Sequence, residues 1–142
     1  MALYQFKNKQ IEEVSALSMT KSLGSTIDEH FVNLLVFQAQ LKVMHWGTES
    51  YAEHNAYGMT YESIDDGLDA LVESYQGYHG RIDFGCSCEL INFSKVQPTE
   101  WLNSMMECLV LLRSEIKESD LQNLIDELIS AISKLKYLLT LK

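Results

Sequence analysis

The chain has 142 residues, 46% of them apolar, with one proline, seven glycines and a net charge of −9. That length suits one domain with one core, and so few turn-formers argue against an all-β protein. The acidic balance excludes nucleic acid, which needs a basic patch, and anionic membrane surfaces; no run of about 20 apolar residues spans a bilayer.

Residues 1–23 are weakly patterned, with Ile11, Val14 and Leu17 as one apolar edge of a short helix. They lack the order of a signal peptide, so the protein is expected in the cytoplasm. A first long helix is predicted at about 26–46. Thr26 and Glu29 have the spacing of a reciprocal cap. Ile27, Phe31, Leu34, Leu35, Leu41 and Met44 recur near the 3.6-residue period, and Gly47 stands where a helix ends. Ser50 and Glu53 repeat the cap and open a second helix, which runs to about Gln76, before Gly77 and Gly80. Its stripe is Tyr51, Tyr57, Tyr61, Ile64, Leu68, Leu71, Val72 and Tyr75. Gly58 and Gly67 lie inside it, each costing ~1 kcal/mol against alanine, which points to close packing at both.

Residues 77–97 break the periodicity and read as a long connection with a short helical turn near Leu90. Such a length suits a crossover rather than a tight hairpin. Pro98 then opens a third helix, its missing N–H being unpaired there anyway. Trp101, Leu102, Met105, Met106, Leu109, Leu112 and Ile116 form its inner face. Ser119 and Gln122 make a third cap before a last helix lined by leucine and isoleucine from Leu121 to Leu139. Two helical hairpins joined by one long crossover between the second and third helices give an all-α, ferritin-like four-helix bundle, one domain over residues 1–142.

Set on a wheel at 100° per residue, His54, Asp65, Asp69, Glu62, Glu73 and Asp66 of the second helix span an arc of about 120°. A solvated acidic face is one reading of this stripe; a metal site is the other. Distance constrains the second. His54 and Asp69 are fifteen residues apart, about 22 Å along a helix, whereas metal ligands lie within about 2–2.5 Å of their ion. One chain therefore cannot hold one ion with both. Asp69 and Glu73, four apart, stack on one face. A shared site needs two antiparallel copies of the helix about a two-fold axis, which makes two equivalent sites per dimer.

The other candidates carry less. Cys86, Cys88 and Cys108 read as free thiols of a reducing compartment. Cys86 and Cys88 beside His79 lack the usual structural zinc spacing. His30 reads as a surface or interface residue. There is no P-loop, dinucleotide fingerprint or Ser/His/Asp order.

The run His45-Trp46, then His54, then Asp69 and Glu73 resembles the ferroxidase signature of the Dps family of mini-ferritins. The likeness extends over about residues 28–82, with "ESYQGYHGRI" similar to that family's exit from its second helix. "LKVMHWGTESYAEH" with "DALVESYQG" also resembles small proteins of phages and large viruses that share the skeleton. The Dps resemblance implies iron as the metal, oxidised from Fe²⁺ by peroxide or O₂ at sites shared between subunits and stored in a twelve-subunit shell. His45 and His54 would come from one chain and Asp69 and Glu73 from its neighbour, with Trp46 near the iron or packed in the core. Here the interval between the histidines is three residues shorter than in typical members. Gly58 stands where many carry another carboxylate, for which Glu53, Glu62 or Asp65 would substitute. Only Lys7, Lys9 and Lys21 lie in the first 23 residues, so the DNA-binding tail of some members is not expected.

Two functions follow. One is a Dps-like ferroxidase, homo-oligomeric from a two-fold dimer upward. The alternative is a non-enzymatic helical bundle with a structural or interaction role, a virion or phage-assembly component whose partners are virion proteins. A di-metal enzyme acting on another substrate is a third reading, weakened by the lack of a Glu-x-x-His motif.

Overall fold

Thr26 caps the first helix as its spacing requires. Its hydroxyl accepts from the Glu29 N–H at 3.2 Å, and the Glu29 carboxylate accepts from the Thr26 N–H at 2.9 Å. The computed structural model describes residues 26–85 and 88–141. Its helices are α1 (Ile27–Gly47), α2 (Tyr51–His79), α3 (Pro98–Glu115) and α4 (Ser119–Leu138), with a 3-10 turn at Phe93–Lys95 and no strand among the described residues. The helix expected around Ile11, Val14 and Leu17 lies outside the described residues.

The four helices form a bundle around one core, in which Phe31, Phe37, Leu41, Tyr57, Leu71, Trp101, Leu109 and Leu112 are almost wholly buried. α1 packs on α2 and α3, and α4 packs on α2 and α3. Cross-contacts fix the directions. Phe31 meets Tyr75 while His45 meets His54, so α1 and α2 are antiparallel. His30 lies by Cys108 and Glu115, Tyr78 by Asp120, and Asn103 by Lys136, so the other three adjacent pairs are antiparallel too. α2 and α3 therefore run the same way, and the connection between them must travel the length of the bundle.

It does so along α1. The Asp83 N–H donates to the Asp28 carboxylate at the start of α1 (3.1 Å). Midway, the buried Gln40 side chain accepts from the Ile91 N–H (2.8 Å) and donates to the Ile91 carbonyl (2.7 Å). At the far end Phe93 lies so close over Gly47 that a β-carbon there would sit 2.4 Å from the Phe93 Cβ. Gly47 thus makes room for the crossover; the chain leaves α1 through an extended Thr48 rather than a left-handed glycine.

Other expectations shift in detail. α2 runs past Gly77 to His79 and stops at Gly80, whose φ of 87° suits glycine alone. The short helical turn falls at Phe93–Lys95, not Leu90. Ser50 caps α2 by accepting from the Glu53 N–H, but Glu53 does not reciprocate. Ser119 is not a cap: Glu118 precedes α4 without a side-chain capping bond, and Gln122 donates to the Ile116 carbonyl. Leu35, expected inside, is half exposed across a shallow cleft from Leu90.

A two-pronged ion pair ties α3 to α4. Arg113 Nε and Nη2 donate to the two oxygens of Asp126 at 2.6 and 3.0 Å, and the guanidinium holds the Asp126 carboxyl below its usual range. A carboxyl depressed in the folded chain contributes fully above its unfolded value, about 3.9 for aspartate, and loses that contribution as pH falls through the folded value. Thermal melts from pH 7 to 3 should show wild type losing stability at the acid end. Arg113→Gln should start lower at neutral pH and flatten the acid slope, and salt should narrow the gap between the two because both partners are exposed.

Candidate functional site

The corner between α1 and α2 is built by its polar residues. Thr48 donates from its hydroxyl to the Glu53 carboxylate and accepts from the Ser50 N–H at 3.1 Å. That bracket holds the turn and brings His45, in the last turn of α1, over His54, in the first turn of α2. Their rings stack at 3.8 Å between centroids, tilted by 26°. His45 Nδ1 lies 2.8 Å from the His54 carbonyl oxygen, and His54 Nδ1 lies 2.9 Å from the His45 carbonyl oxygen. A carbonyl only accepts, so each Nδ1 carries the proton, and in the neutral ring each Nε2 keeps a lone pair. Histidines that ligate metals are commonly oriented this way, one nitrogen donating to a carbonyl while the other faces the ion.

Gly58 completes the corner. A β-carbon at this position would lie 2.9 Å from His45 Cε1 and 3.1 Å from its Nδ1. The helical glycine, costly by propensity, leaves the space that the imidazole fills. The pair nevertheless is not one ready-made chelate. Ring planes tilted by only 26° at this separation do not meet within the ~2.1 Å of a metal–imidazole bond. As it stands, the corner offers two adjacent positions of one imidazole each.

Asp69 and Glu73 lie four and five turns further along α2, both exposed. They share its outer face with Glu62, Asp65 and Asp66, also exposed. Asp65 accepts from the Gln38 side chain. The rest of this face has no Lys or Arg within ion-pair distance among the described residues; Lys42, the one Lys or Arg of α1, sits over the Tyr61 ring instead. The structure thus brings His45 and His54 together and leaves Asp69 and Glu73 far from them within one chain. No group of three or more His, Cys, Asp or Glu residues that could hold a metal occurs among the described residues.

Glu53 is held by Thr48 inside the corner. It also adds to the burial that pushes the Tyr57 phenol up to about 12. Core packing of Trp46 is overturned: its side chain is 73% exposed, and Tyr51 (80%) and Met59 (56%) are exposed as well.

The structure also moves His30. Expected at the surface or at an interface, it is 3% exposed between α1 and α3 inside the bundle, with Cys108 Sγ 3.5 Å from its Nδ1 and a Glu115 oxygen 3.5 Å from its Nε2. Acid, imidazole and thiol stand in the order of a nucleophilic triad. Burial pushes the Cys108 thiol up to about 12, however, and a protonated thiol sealed in a core does not attack substrates. His79 is engaged by Glu118 at 2.9 Å; Cys86, its proposed zinc partner, lies outside the described residues. Gly58 and Thr48 are the residues that sequence reasoning underused. The available signal was a helix-interior glycine one turn after a histidine.

Residues 45–139 match a family described as "Family of unknown function (DUF5856)", a span that contains all four candidate ligands. A relative from Enterobacteria phage T4, the "Uncharacterized 14.6 kDa protein in mobD-ri intergenic region", is 32% identical over 120 residues, which cover 83% of this chain and 91% of the relative. No solved structure matches the chain. None of the helices is long and apolar enough to cross a membrane, among the described residues.

Proposed function

We propose that this chain, which belongs to the family of unknown function DUF5856, captures Fe²⁺ between two copies of itself and oxidises it, as a ferritin-like protein of the Dps kind. The observation that carries the reading is the corner in which both histidines have Nδ1 committed to a carbonyl and Nε2 left to bind. The chain path, with α2 and α3 running the same way and a crossover laid along α1, supports a ferritin-like bundle. Neutral imidazoles from one chain and the Asp69 and Glu73 carboxylates of a second suit ferrous iron, which is substrate here, and leave positions for an oxidant.

The chemistry balances with peroxide. Two Fe²⁺ ions give up one electron each, the O–O bond breaks, two protons are taken up, and two Fe³⁺ ions and two waters result. Asp69 and Glu73 bind the product charge more strongly than the reactant charge, which favours the oxidised ion. Assembly into a twelve-subunit shell would add a cavity for the ferric product. The phage relative and the exposed Trp46, Tyr51 and Met59 favour one other reading, a phage-encoded bundle that docks partners and does no chemistry.

The test is anaerobic Fe²⁺ titration, then peroxide with ferric absorbance followed in time. Wild type should bind and oxidise; His54→Ala and Asp69→Ala should each do neither. Mixing these two variants after reversible dissociation should restore about a quarter of the wild-type sites, since half the dimers are mixed and each mixed dimer has one intact site. No Fe²⁺ binding by wild type sinks the ferroxidase reading. Full activity in either single variant removes the shared site.

A further inference from the structure

We infer that the two-copy assembly is gated by the cation it binds. The carboxylates on the outer face of α2 hold bare chains apart, and a divalent ion at the seam between His54 and the second copy's Asp69 and Glu73 draws them together. The inference rests on the shared-site reading and adds its regulation.

The argument starts from register. A two-fold axis that sets His54 opposite the second copy's Asp69 and Glu73 crosses α2 between residues 62 and 63. Glu62 of the two copies then meets across the axis, and Asp65 and Asp66 of each lie within a turn of it. All three are exposed, and none is met by Lys or Arg among the described residues. The centre of the seam is therefore a cluster of like charges, in a chain already at −9, and bringing such charges together opposes association.

The two ends of the same face are complementary. Each presents imidazole from one copy to paired carboxylates from the other, and a divalent ion at each end would supply the positive charge that the centre lacks. Tyr51, exposed in the single chain, lies on this face, and the exposed Met59, Ala52 and Ala70 flank one edge of it, giving apolar burial once repulsion is offset. A face with apolar surface, no cation and imidazole at one end only is self-complementary for a second antiparallel copy and for little else.

Sedimentation velocity at low ionic strength reads the assembly, with Co²⁺ as a probe that peroxide-free buffer leaves unoxidised. The chain should be monomeric in EDTA and dimeric or larger with Co²⁺, and His54→Ala should stay monomeric with Co²⁺. Glu62→Gln/Asp66→Asn, which keeps the four ligands, should associate in EDTA. The same size in EDTA and in Co²⁺ overturns the gating, and so does a charge-relieved variant that remains monomeric in EDTA when Co²⁺ still dimerises it. A Co²⁺-dependent dimer without peroxide-driven iron oxidation upholds the gating while the ferroxidase reading fails. Iron oxidation by a dimer that EDTA leaves intact does the reverse.

Discussion

Trp101→Ala is expected to lower the unfolding free energy by about 3–5 kcal/mol, the usual cost of truncating a large buried aromatic. Total stabilities of about 5–15 kcal/mol are normal for such domains, so this variant should sit near the edge of folding. Trp101 is 1% exposed and heads the fully buried side chains by size. It enters from the first turn of α3 and tilts against Phe37 of α1, ring centres 4.7 Å apart. The site cannot collapse easily, because the crossover is pinned over α1 by Gln40 and by Phe93 against Gly47. Trp101→Phe should cost much less. It keeps the aromatic contact and removes an indole N–H that has no hydrogen-bond partner among the described residues, so lost volume is partly offset by a lost desolvation penalty. Urea unfolding followed by far-UV circular dichroism measures both. Trp46, 73% exposed, remains as a fluorescence reporter that differs from the buried indole. An alanine variant as stable as wild type would mean that α3 does not anchor the core through this residue.

The bundle was legible because its helices announce themselves locally. Thr26 with Glu29, Pro98 in a first turn and leucine-rich stripes on α3 and α4 depend on neighbours within a turn, and the sequence holds all of those. What was not legible depends on other elements. α1 is covered by α2, α3 and the crossover, so its buried surface wraps most of the way round, and polar His30 and Gln40 are inside it. No periodicity separates a polar residue that pins a crossover from one in water. Gly77 and Gly80 look equally able to stop α2; only the φ of Gly80 decides. Ser119 has the spacing of a cap, but the turn after α3 begins α4 one residue earlier than such a cap requires.

The candidate site divides along the same line. Distance along α2 alone separates His54 from Asp69 and Glu73, and the structure keeps that separation. The partnership of His45 with His54 follows from a corner of three residues, Thr48 to Ser50, and was legible as two histidines flanking a helix break. The mutual carbonyl bonds were not, because they join side chains to backbone groups nine residues away whose direction the corner sets. Trp46 shows the opposite failure: an aromatic next to an apolar stripe reads as core, yet here its helix face ends at solvent.

Gly58→Ala should separate positioning from stability at that corner. The new methyl would lie 2.9 Å from His45 Cε1, so the half-buried ring must shift out of its present contacts. One face is on His54 and Nδ1 is on the His54 carbonyl. Alanine favours α2 by about 1 kcal/mol over glycine, whereas displacing the ring breaks at least one hydrogen bond worth about 1 kcal/mol. These nearly cancel, so the melting temperature should move little. Metal affinity should not be spared: losing the group that orients a ligand typically costs ~10–100-fold. Co²⁺ titration by calorimetry, with a melt on the same sample, reads the two effects apart. His45→Ala should weaken Co²⁺ binding by a similar factor, and the double variant should be no weaker than His45→Ala alone, because Gly58 acts only through that ring. Additive losses would give Gly58 a separate role. Wild-type affinity in Gly58→Ala, with the fold intact, would show that the stacked arrangement of His45 is not what a metal ion meets.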